Sequence, residues 1–428
     1  MKIDKAFLIG IYWGRESREF FEESINELEA LAKTANVYVK DIFIQNLTKP
    51  NTRTYINKGK LKEIRNKAKR AKINTLIFNN NLTPSQSRNL ANISHCNIVD
   101  RTELILDIFA KHARTKQAKL QVELAQLEYA YTKLKRKWKH LSRIQGGIGF
   151  RGPGETQIEV DRREIQVRTT SLKKKLENIE QISQTKRKRR KNYTSIALIG
   201  YTNAGKTTLF NKLTNEKRYT ADKLFATLDA KTRSLVNSHN EEIVITDTIG
   251  FIRKLPHRLI KSFHSTLLEV LEADLLLNVI DVSHPHIFDL IKSVANVLEE
   301  IGAETKNVLM IFNKIDKMNG TQYKFLKKKL MINYPDSVFI SAKNSQGVDK
   351  LNNKIDEFIT RSKKTVIFEV PVELPKLLSF IHENGDIVSE KYEKKANINI
   401  LKVKIHRQYI QTIKKQIKDF KLNKYINK

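Results

Sequence analysis

Hydrophobic and polar positions follow two periods in the first hundred residues of the chain. Apolar runs of strand length cover residues 6–13, 37–44, 73–78 and 97–99, and amphipathic helical patterns separate them at 16–35, 60–72 and 84–93. Strands that alternate with helices are typical of a parallel sheet with helices packed on its faces. We therefore predict an N-terminal α/β domain over residues 1–115.

From residue 101 the pattern is helical throughout. Its spacing predicts one helix that ends near Gln145 and a second that starts at Thr156, an N-cap candidate with Glu159 three residues later. We expect an antiparallel hairpin over residues 116–191; the alternative is two helices that lie flat on a domain core. The hairpin is predicted from apolar residues at alternating spacings of four and three, as in a coiled coil: Leu120, Leu124, Leu127, Tyr131, Leu134, Trp138 and Leu141.

A phosphate-binding loop follows the apolar strand at residues 195–199 and precedes a helical pattern. Its glycines let the backbone turn until successive N–H groups face the phosphates, and the next helix adds its positive N-terminal end. We expect Lys206 to reach the β- and γ-phosphates and the Thr207 hydroxyl to bind Mg²⁺. The spacing G-x-x-x-x-G-K-T is formed by Gly200, Tyr201, Thr202, Asn203, Ala204, Gly205, Lys206 and Thr207.

Two segments downstream of the loop are candidates for nucleotide-sensing switches. A strand at residues 243–246 runs into Asp247, whose carboxylate can hold the Mg²⁺ shell, and then Gly250, whose N–H can sense the γ-phosphate. Thr227 can supply a second Mg²⁺ ligand that is ordered only while the γ-phosphate is present. The predicted segments are Phe225, Ala226, Thr227, Leu228 and Asp229, and Asp247, Thr248, Ile249 and Gly250.

The base is predicted to bind after the buried strand at residues 308–312. Guanine presents N1–H and a 2-amino group, and the carboxylate of Asp316 can accept from both; adenine has an acceptor at N1 and would leave this charge unpaired. The predicted substrate is therefore GTP and not ATP. A second segment would place a backbone N–H on guanine O6. The residues of the two segments are Asn313, Lys314, Ile315 and Asp316, and Ser341, Ala342 and Lys343.

The predicted catalytic set is Lys206, Thr227, Gly250 and Asn203. The residue after Gly250 is Phe251, so no glutamine stands where many GTPases orient the attacking water. We predict slow turnover until a partner or an ion completes the site. The side-chain oxygen of Asn203 could bind a monovalent cation such as K⁺ beside the phosphates, where the cation would stabilise developing charge.

The remaining pattern completes the predicted fold class. A strand at 366–370, a helix at 373–381, a strand pair at 387–392 and 398–405, and a basic helix at 408–420 predict a small α+β domain over residues 363–428, in which we identify no site. We thus predict a P-loop GTPase domain of the α/β class over residues 192–362. An N-terminal α/β domain and a long antiparallel helical hairpin precede it, and the small α+β domain follows it.

The chain of 428 residues has 79 Lys and Arg against 46 Asp and Glu, a formal net charge of +33. This excess predicts a polyanionic partner such as RNA, although a composition rich in Lys, Asn and Ile also contributes to it. The single cysteine, Cys96, excludes an internal disulfide framework; it and His95 lack spaced partners, so we expect both to pack. We expect a cytoplasmic monomer without a signal sequence or membrane span.

A glycine-rich segment lies between the two long predicted helices. Gly147, Gly149 and Gly152 satisfy G-x-G-x-x-G, but the segment follows a helix and not a strand, so the dinucleotide-binding context is missing. Glycines, an aromatic ring and arginines at the tip of a stiff arm suit close approach to folded RNA. An unbroken basic run at 186–191 suits a solvated linker or a nucleic-acid contact. The predicted RNA-binding residues are Arg143, Gly147, Phe150, Arg151 and Gly152.

These features together resemble the HflX family of translational GTPases. The resemblance is carried by the tip sequence GGIGFRGPGETQ at residues 146–157, by Asp161, Arg162 and Arg163 after it, and by GYTNAGKTTL, FATLD, DTIGF and NKID. It implies a cytoplasmic GTPase, bacterial or organellar, that binds the large ribosomal subunit and its rRNA. It also implies that the arm reaches toward the peptidyl transferase centre and that the enzyme splits stalled or idle ribosomes.

Two other functions stay open on the sequence. One is a ribosome-assembly GTPase, which precursor subunits would stimulate and intact ribosomes would not. The other is an RNA-binding or RNA-remodelling module in which the nucleotide domain is only structural.

Overall fold

The computed structural model describes residues 4–14, 17–141, 153–190, 193–215, 231–237, 241–252, 264–318, 320–394, 396–405 and 407–426. The N-terminal domain alternates strands and helices as the sequence predicts. Its four strands are all parallel, in the order β2-β1-β3-β4. Its elements are β1 Asp4–Tyr12, α1 Arg18–Thr34, β2 Val37–Asn46, α2 Lys58–Ala71, β3 Thr75–Phe78, α3 Pro84–Ser94, β4 Asn97–Asp100 and α4 Arg101–His112.

Helices cover both faces of this sheet and form two separate hydrophobic cores. Helices α1 and α4 contribute Leu28 and Ile105 to one core. Helices α2 and α3 contribute Leu61 and Leu90 to the other core, which also contains Cys96. Because successive side chains of a strand point to opposite faces, each strand supplies both cores.

A buried arginine joins the two helices of the first core. Arg101 is 2% exposed, and its guanidinium donates to the carboxylate of Glu27, to Asn79 Oδ1 at 2.9 Å and to the carbonyl of Ser24 at 3.3 Å. A buried charge is tolerated only where such partners replace water. The ion pair therefore fixes α1 against the start of α4.

Two long helices follow and pair as a hairpin, which we call the arm: α5 Lys116–Leu141 and α6 Pro153–Arg190. Arg168 Nε donates to Glu123 Oε1 at 2.7 Å, and Gln166 Nε2 donates to Tyr131 Oη at 3.0 Å. Between these two contacts the residue number rises along α5, from 123 to 131, and falls along α6, from 168 to 166. The two helices are therefore antiparallel. Helix α6 begins at Pro153 and not at Thr156, because proline suits the first helical turn, where no N–H partner is needed.

The base of the arm is embedded in the N-terminal domain. Ala118, Val122 and Ala125 of α5 lie in the α1/α4 core, and the Tyr129 hydroxyl donates to the carboxylate of Asp100. The first turns of α5 thus lie on a domain core, as the alternative interpretation proposed, while α5 and α6 pair as a hairpin. Gln145 and residues 146–152 of the glycine-rich tip lie outside the described residues, whereas Pro153 and Gly154 form the start of α6.

The third domain is a six-stranded sheet with the order β10-β9-β8-β5-β7-β6, in which only β6 pairs antiparallel. Strands β5, β7 and β8 consist mostly of buried residues, as expected for the centre of a parallel sheet covered on both faces. The strands are β5 Thr194–Ile199, β6 Lys231–Val236, β7 Glu242–Asp247, β8 Leu275–Asp281, β9 Asn307–Asn313 and β10 Val338–Phe339. The helices are α7 Lys206–Leu213, α8 His264–Glu272, α9 Ile287–Glu300, α10 Gly320–Asn333 and α11 Val348–Ser362.

The last domain is an antiparallel sheet, order β11-β13-β12, that packs on two helices through a core of its own. Its strands and helices match the predicted α+β class. Its last helix extends beyond the predicted range of 408–420. The elements are β11 Lys364–Pro371, α12 Pro375–Asn384, β12 Gly385–Glu393, β13 Ile398–Ile405 and α13 Arg407–Ile426.

We predict that the substitution Arg101→Ala destabilises the N-terminal domain by about 3–5 kcal/mol, because it leaves the Glu27 carboxylate without its buried cation and opens a cavity. Urea unfolding, followed by circular dichroism, measures the change. The matched control is Arg18→Ala, which removes an exposed pair with Glu22 at 3.1 Å and is expected to cost less than about 1 kcal/mol. Equal losses in the two variants would contradict a structural role for the buried pair.

Candidate nucleotide-binding site

The predicted phosphate-binding loop runs from the end of β5 to the start of α7. Gly200 has φ 133°, and a Cβ there would lie 2.2 Å from the carbonyl oxygen of Val279. Gly205 has φ 95°, and a Cβ there would lie 2.2 Å from Nδ2 of Asn313. Both positions therefore require glycine for backbone conformation and for space.

The loop lysine is buried and closes the loop on itself. The ammonium of Lys206 donates to the carbonyls of Gly200 at 3.1 Å and Tyr201 at 2.8 Å, and the residue is 6% exposed. Burial lowers the pKa of Lys206 to about 8, and the nearby carboxylate of Asp247 opposes that shift. A bound phosphate would supply the negative charge that this buried cation needs.

Thr207, a predicted Mg²⁺ ligand, meets Asp247, whose carboxylate is predicted to hold the Mg²⁺ shell, at the carboxyl edge of the sheet. The hydroxyl of Thr207 donates to Asp247 Oδ2 at 2.8 Å, and Asp247 is fully buried at the end of β7. A hydroxyl beside a carboxylate is the kind of hard oxygen donor set that Mg²⁺ prefers, so these residues fit the ion. The other predicted metal ligand, Thr227, lies outside the described residues, as do Phe225, Ala226, Leu228 and Asp229.

The residues after Asp247, which we call the 247–252 segment, pair with the loop. The N–H of Phe251 donates to the carbonyl of Gly200 at 3.0 Å, and the N–H of Thr202 donates to the carbonyl of Phe251 at 2.8 Å. A Cβ at Gly250 would lie 2.9 Å from Lys206 Nζ, so the glycine lets this backbone lie directly against the loop. The Thr248 hydroxyl anchors the segment on the carbonyl of Leu198 at 2.6 Å.

The side chain of Phe251 points away from the nucleotide side. It is 3% exposed and lies in a hydrophobic core with Leu267 and Val270 of α8. Phe251 therefore acts as a packing residue, and its ring supplies no group that could orient a water molecule. This agrees with the expectation from the sequence that position 251 lacks a catalytic glutamine.

The predicted base-binding residues come together at the ends of β9 and β10. Asn313 donates from Nδ2 to the carbonyl of Ala204 at 2.8 Å and accepts from the N–H of Ala342 at 2.9 Å, so it ties the phosphate loop to the last base segment. The Ser341 hydroxyl donates to Asp316 Oδ1 at 2.6 Å and orients that carboxylate. Ile315 and Lys343 complete the two segments, and the Ile315 N–H donates to the carbonyl of Ile340 at 3.2 Å.

Asp281 lies beside the predicted base-binding segments and is absent from the motifs named above. It ends β8 and forms an ion pair with Lys314 at 2.7 Å, which holds the lysine over the base site. It also accepts from the Ser283 hydroxyl at 2.6 Å. The available signal was its position after a buried parallel strand, because ligand sites form at the carboxyl ends of such strands.

The N-terminal domain also contacts this site, and no motif in the sequence predicts that contact. Helix α1 faces the phosphate loop across a cavity of about 310 Å³, and Glu23 lies 3.3 Å from His286 Nε2. Ile249 and Ile252 of the 247–252 segment lie in the α1/α4 core, 9% and 3% exposed. The apolar composition of a segment that leaves the sheet edge was the only signal of this contact.

Several predicted residues cannot be placed in this site. The predicted RNA-binding residues of the tip lie outside the described residues. They are Arg143, Gly147, Phe150, Arg151 and Gly152.

Family models match three consecutive parts of the chain. A model described as GTP-binding GTPase N-terminal matches residues 22–110, one described as GTP-binding GTPase Middle Region matches 112–190, and one described as 50S ribosome-binding GTPase matches 195–314. The fold and the site define a P-loop GTPase, an enzyme that hydrolyses GTP.

Curated relatives match nearly the whole chain. GTPase HflX of Caldanaerobacter subterraneus subsp. tengcongensis is 41% identical over 419 residues, which are 97% of this chain and 94% of the relative. GTPase HflX of Escherichia coli (strain K12) is 37% identical over 399 residues, 93% of this chain and 92% of the relative. The chain therefore belongs to the HflX family of GTPases, which confirms the resemblance seen in the sequence.

A solved structure is also similar over most of the chain. The crystal structure of SsGBP and GDP complex is 32% identical, covers 84% of this chain and 99% of its own chain, and has a TM-score of 0.47. In the part of the chain that the structure describes, no helix combines the length and the apolar character needed to cross a membrane.

We predict that Gly205→Ala weakens GDP and GTP binding at least about tenfold, because the new Cβ displaces Asn313 from the loop and so disturbs the phosphate and base sites together. Isothermal titration calorimetry measures the affinities. Gly302→Ala is the matched control: its φ is 75°, so it carries similar backbone strain, but nothing lies within 4 Å of the added Cβ. Unchanged affinity in the Gly205 variant, or equal losses in both, would refute the packing argument.

Proposed function

We propose that this protein is a Mg²⁺-dependent GTPase that binds the large ribosomal subunit and splits stalled or idle ribosomes. The GTP-bound state favours binding, and hydrolysis permits release. One observation carries the proposal: the 247–252 segment, which lies against the phosphate loop, is buried in the same core as the base of the arm. A change at the nucleotide therefore has a physical route to the arm.

The contacts of Lys206, Thr207 and Asp247 fit their proposed roles. Lys206 and the N–H groups of the loop would bind the phosphates, and Thr207 and Asp247, together with Thr227 from outside the described residues, would hold Mg²⁺. When bound, the ion neutralises negative charge that develops on the phosphate oxygens. The N–H of Gly250 senses the γ-phosphate, as its close approach to Lys206 Nζ supports.

Base selection is assigned to Asp316. Its carboxylate already accepts from the Ser341 hydroxyl at 2.6 Å, and the remaining acceptor capacity suits the two adjacent donors of guanine. Adenine has an acceptor at N1 and would leave the carboxylate without a matching donor. We therefore propose GTP as the preferred substrate.

The route from nucleotide to arm runs through packed side chains. Ile249 and Ile252 share the α1/α4 core with Val122 and Ala125 of α5. Protein interiors are close-packed and resist small displacements, so a shift of the segment must be taken up by the helices around it. The arm then changes its orientation, or its freedom to move, when the γ-phosphate is lost.

The arm is proposed to contact ribosomal RNA with its tip. Arg143, Gly147, Phe150, Arg151 and Gly152 combine cations, an aromatic ring and glycines, which suit phosphate contact, base stacking and close backbone approach. The net charge of +33 favours a polyanionic partner. The printed description of the matching GTPase-domain model, 50S ribosome-binding GTPase, supports the large subunit as that partner. We propose a cytoplasmic enzyme that acts as a monomer.

A ribosome-assembly GTPase is the alternative within the same class. It would use the same site and arm but would respond to precursor subunits. An RNA-binding module with a structural nucleotide domain is less well supported, because the 247–252 segment links the nucleotide site to the arm.

We expect the purified protein with GTP to convert ribosomes into subunits, and Lys206→Ala to abolish this conversion because the phosphates lose their buried cation. Sucrose-gradient profiles with GTP, GDP or a non-hydrolysable GTP analogue measure it. The analogue should keep the protein on the large subunit. Ribosome dissociation that persists unchanged in the Lys206 variant would contradict the switch mechanism, and stimulation by precursor subunits alone would favour assembly.

The variant Arg151→Ala separates the tip from the nucleotide site in the same assay. It is expected to hydrolyse GTP at the basal rate and to split ribosomes at least about tenfold more slowly, because a phosphate contact is lost. An unchanged splitting rate would remove the tip from the mechanism.

We further propose that K⁺ bound by Asn203 completes the catalytic site. Asn203 is an exposed residue of the phosphate loop and has a φ of 62°. Phe251 supplies no catalytic side chain. GTP hydrolysis should be at least about tenfold faster in K⁺ than in Na⁺ at equal ionic strength. Asn203→Gly, which tolerates the positive φ but lacks the oxygen, should reduce the K⁺/Na⁺ rate ratio to about one. Equal rates of GTP hydrolysis by the unmodified protein in the two salts would contradict the proposal.

A further inference from the structure

Helix α2 carries a stripe of cations along the side of the N-terminal domain that is remote from the GTPase site. We call Lys58, Lys62, Arg65 and Lys69, together with Lys72 at the C-cap, the basic stripe. The spacing of four, three and four residues places the first four on one face of the helix. At a rise of about 1.5 Å per residue these four span about 16 Å, with one positive charge about every 5 Å.

The stripe runs beside the buried face of the helix, along the boundary between that face and solvent. Leu61, Ile64 and Ala68 anchor α2 in the α2/α3 core and are at most 1% exposed. Of the stripe, Arg65 is half-buried and the four lysines are exposed. The helix therefore presents its charges outward as a rigid row.

Local carboxylates do not neutralise the stripe. Between Asp41 and Asp100 the chain has one acidic residue, Glu63, and eleven lysines and arginines. Glu63 pairs with Lys60 at 3.0 Å and Lys67 at 3.4 Å, neither of which belongs to the stripe. Those two lysines also lie over the ring of Phe43, at 5.5 and 4.8 Å from its centroid, so their role in packing is separate.

The row of charges opposes the stability of its own helix. Like charges three and four positions apart repel each other. Lys58 in the first turn also faces the positive end of the helix dipole, whereas Lys69 in the last turn is favoured by the negative end. The first turn of α2 contains no acidic residue, and its N-cap residue Asn57 forms no side-chain cap hydrogen bond. A bound polyanion would relieve both effects.

The position of α2 makes this surface independent of the nucleotide site. The α1/α4 core on the other face of the sheet contains Ile249, Ile252 and the base of the arm. Helix α2 lies across the sheet from these contacts. A partner can therefore bind the stripe in every nucleotide state.

From these observations we infer that the basic stripe is a second RNA-binding surface, which contacts the phosphate backbone of a duplex through charge and without reading sequence. An RNA duplex presents closely spaced phosphates on a rigid surface, and a straight row of cations suits this surface. The surface adds an anchoring contact to the proposed ribosomal function. Its test uses isolated RNA, so that either idea can fail without the other.

The test compares two triple variants of the full-length protein that remove equal charge. Lys62→Gln/Arg65→Gln/Lys69→Gln removes the centre of the stripe, and Lys414→Gln/Lys415→Gln/Lys418→Gln removes three exposed lysines from α13. Binding to an RNA duplex of about 20 base pairs is measured by fluorescence anisotropy over a range of salt concentrations. The slope of log affinity against log salt should fall by about 2–3 in the stripe variant, because each phosphate contact contributes about one.

We expect the stripe variant to bind the duplex at least about tenfold more weakly at 0.1 M salt, to a similar extent with GDP, with a GTP analogue and without nucleotide. Its basal GTP hydrolysis should be unchanged and its melting temperature equal or higher, since repulsion in α2 is reduced. An equal loss of RNA affinity in the α13 variant would show that the effect depends only on net charge, and would overturn the inference. Unchanged RNA affinity in the stripe variant would also overturn it. Loss of binding to vesicles of anionic phospholipid with RNA binding retained would assign the stripe to a membrane and overturn it equally. If the unmodified protein binds the duplex through the stripe but does not split ribosomes, the proposed function fails and this inference stands.

Discussion

The burial of two isoleucines from the 247–252 segment in another domain is the constraint on which this structure depends. Ile249 and Ile252 leave the edge of the GTPase sheet and enter the core between α1 and α4, where the base of the arm is also packed. Two large aliphatic side chains contribute several kcal/mol when buried, about 1.5–3 kcal/mol each. The nucleotide site and the arm are therefore parts of one packed body. The backbone pairing of Phe251 with Gly200 and Thr202 connects this body to the phosphate loop.

The phosphate loop itself is held by its neighbours more than by its own residues. Asn313 binds the loop through the carbonyl of Ala204 and binds the base segment through the N–H of Ala342. Lys206 closes the loop from within, and the carbonyl of Val279 leaves no room for a side chain at Gly200. Contacts from β8, from the end of β9 and from Lys206 thus fix one loop, which is how a flexible glycine-rich sequence becomes a preorganised anion site.

The sequence predicted best those elements whose structure depends on residues close together in the chain. The N-terminal sheet, the phosphate loop and the C-terminal strands could be predicted because period, glycine spacing and turn positions are local features. The start of α6 was predicted three residues late, since Thr156 looked like a cap while Pro153 occupies the first turn. The position of Asp281 at the end of a buried strand was visible in the sequence, but its ion pair with Lys314 was not. That ion pair, the approach of Glu23 to His286 and the burial of the two isoleucines all depend on contacts between residues far apart in the chain.

The orientation of Phe251 limits how this enzyme can gain catalytic help. Its backbone is joined to the phosphate loop by two hydrogen bonds, and its side chain lies in the apolar core beside α8. A glutamine introduced here on the same backbone would bury its amide among aliphatic groups, at a cost of about 1–3 kcal/mol. This single exchange is therefore expected to lower the stability of the domain without placing an amide beside the γ-phosphate.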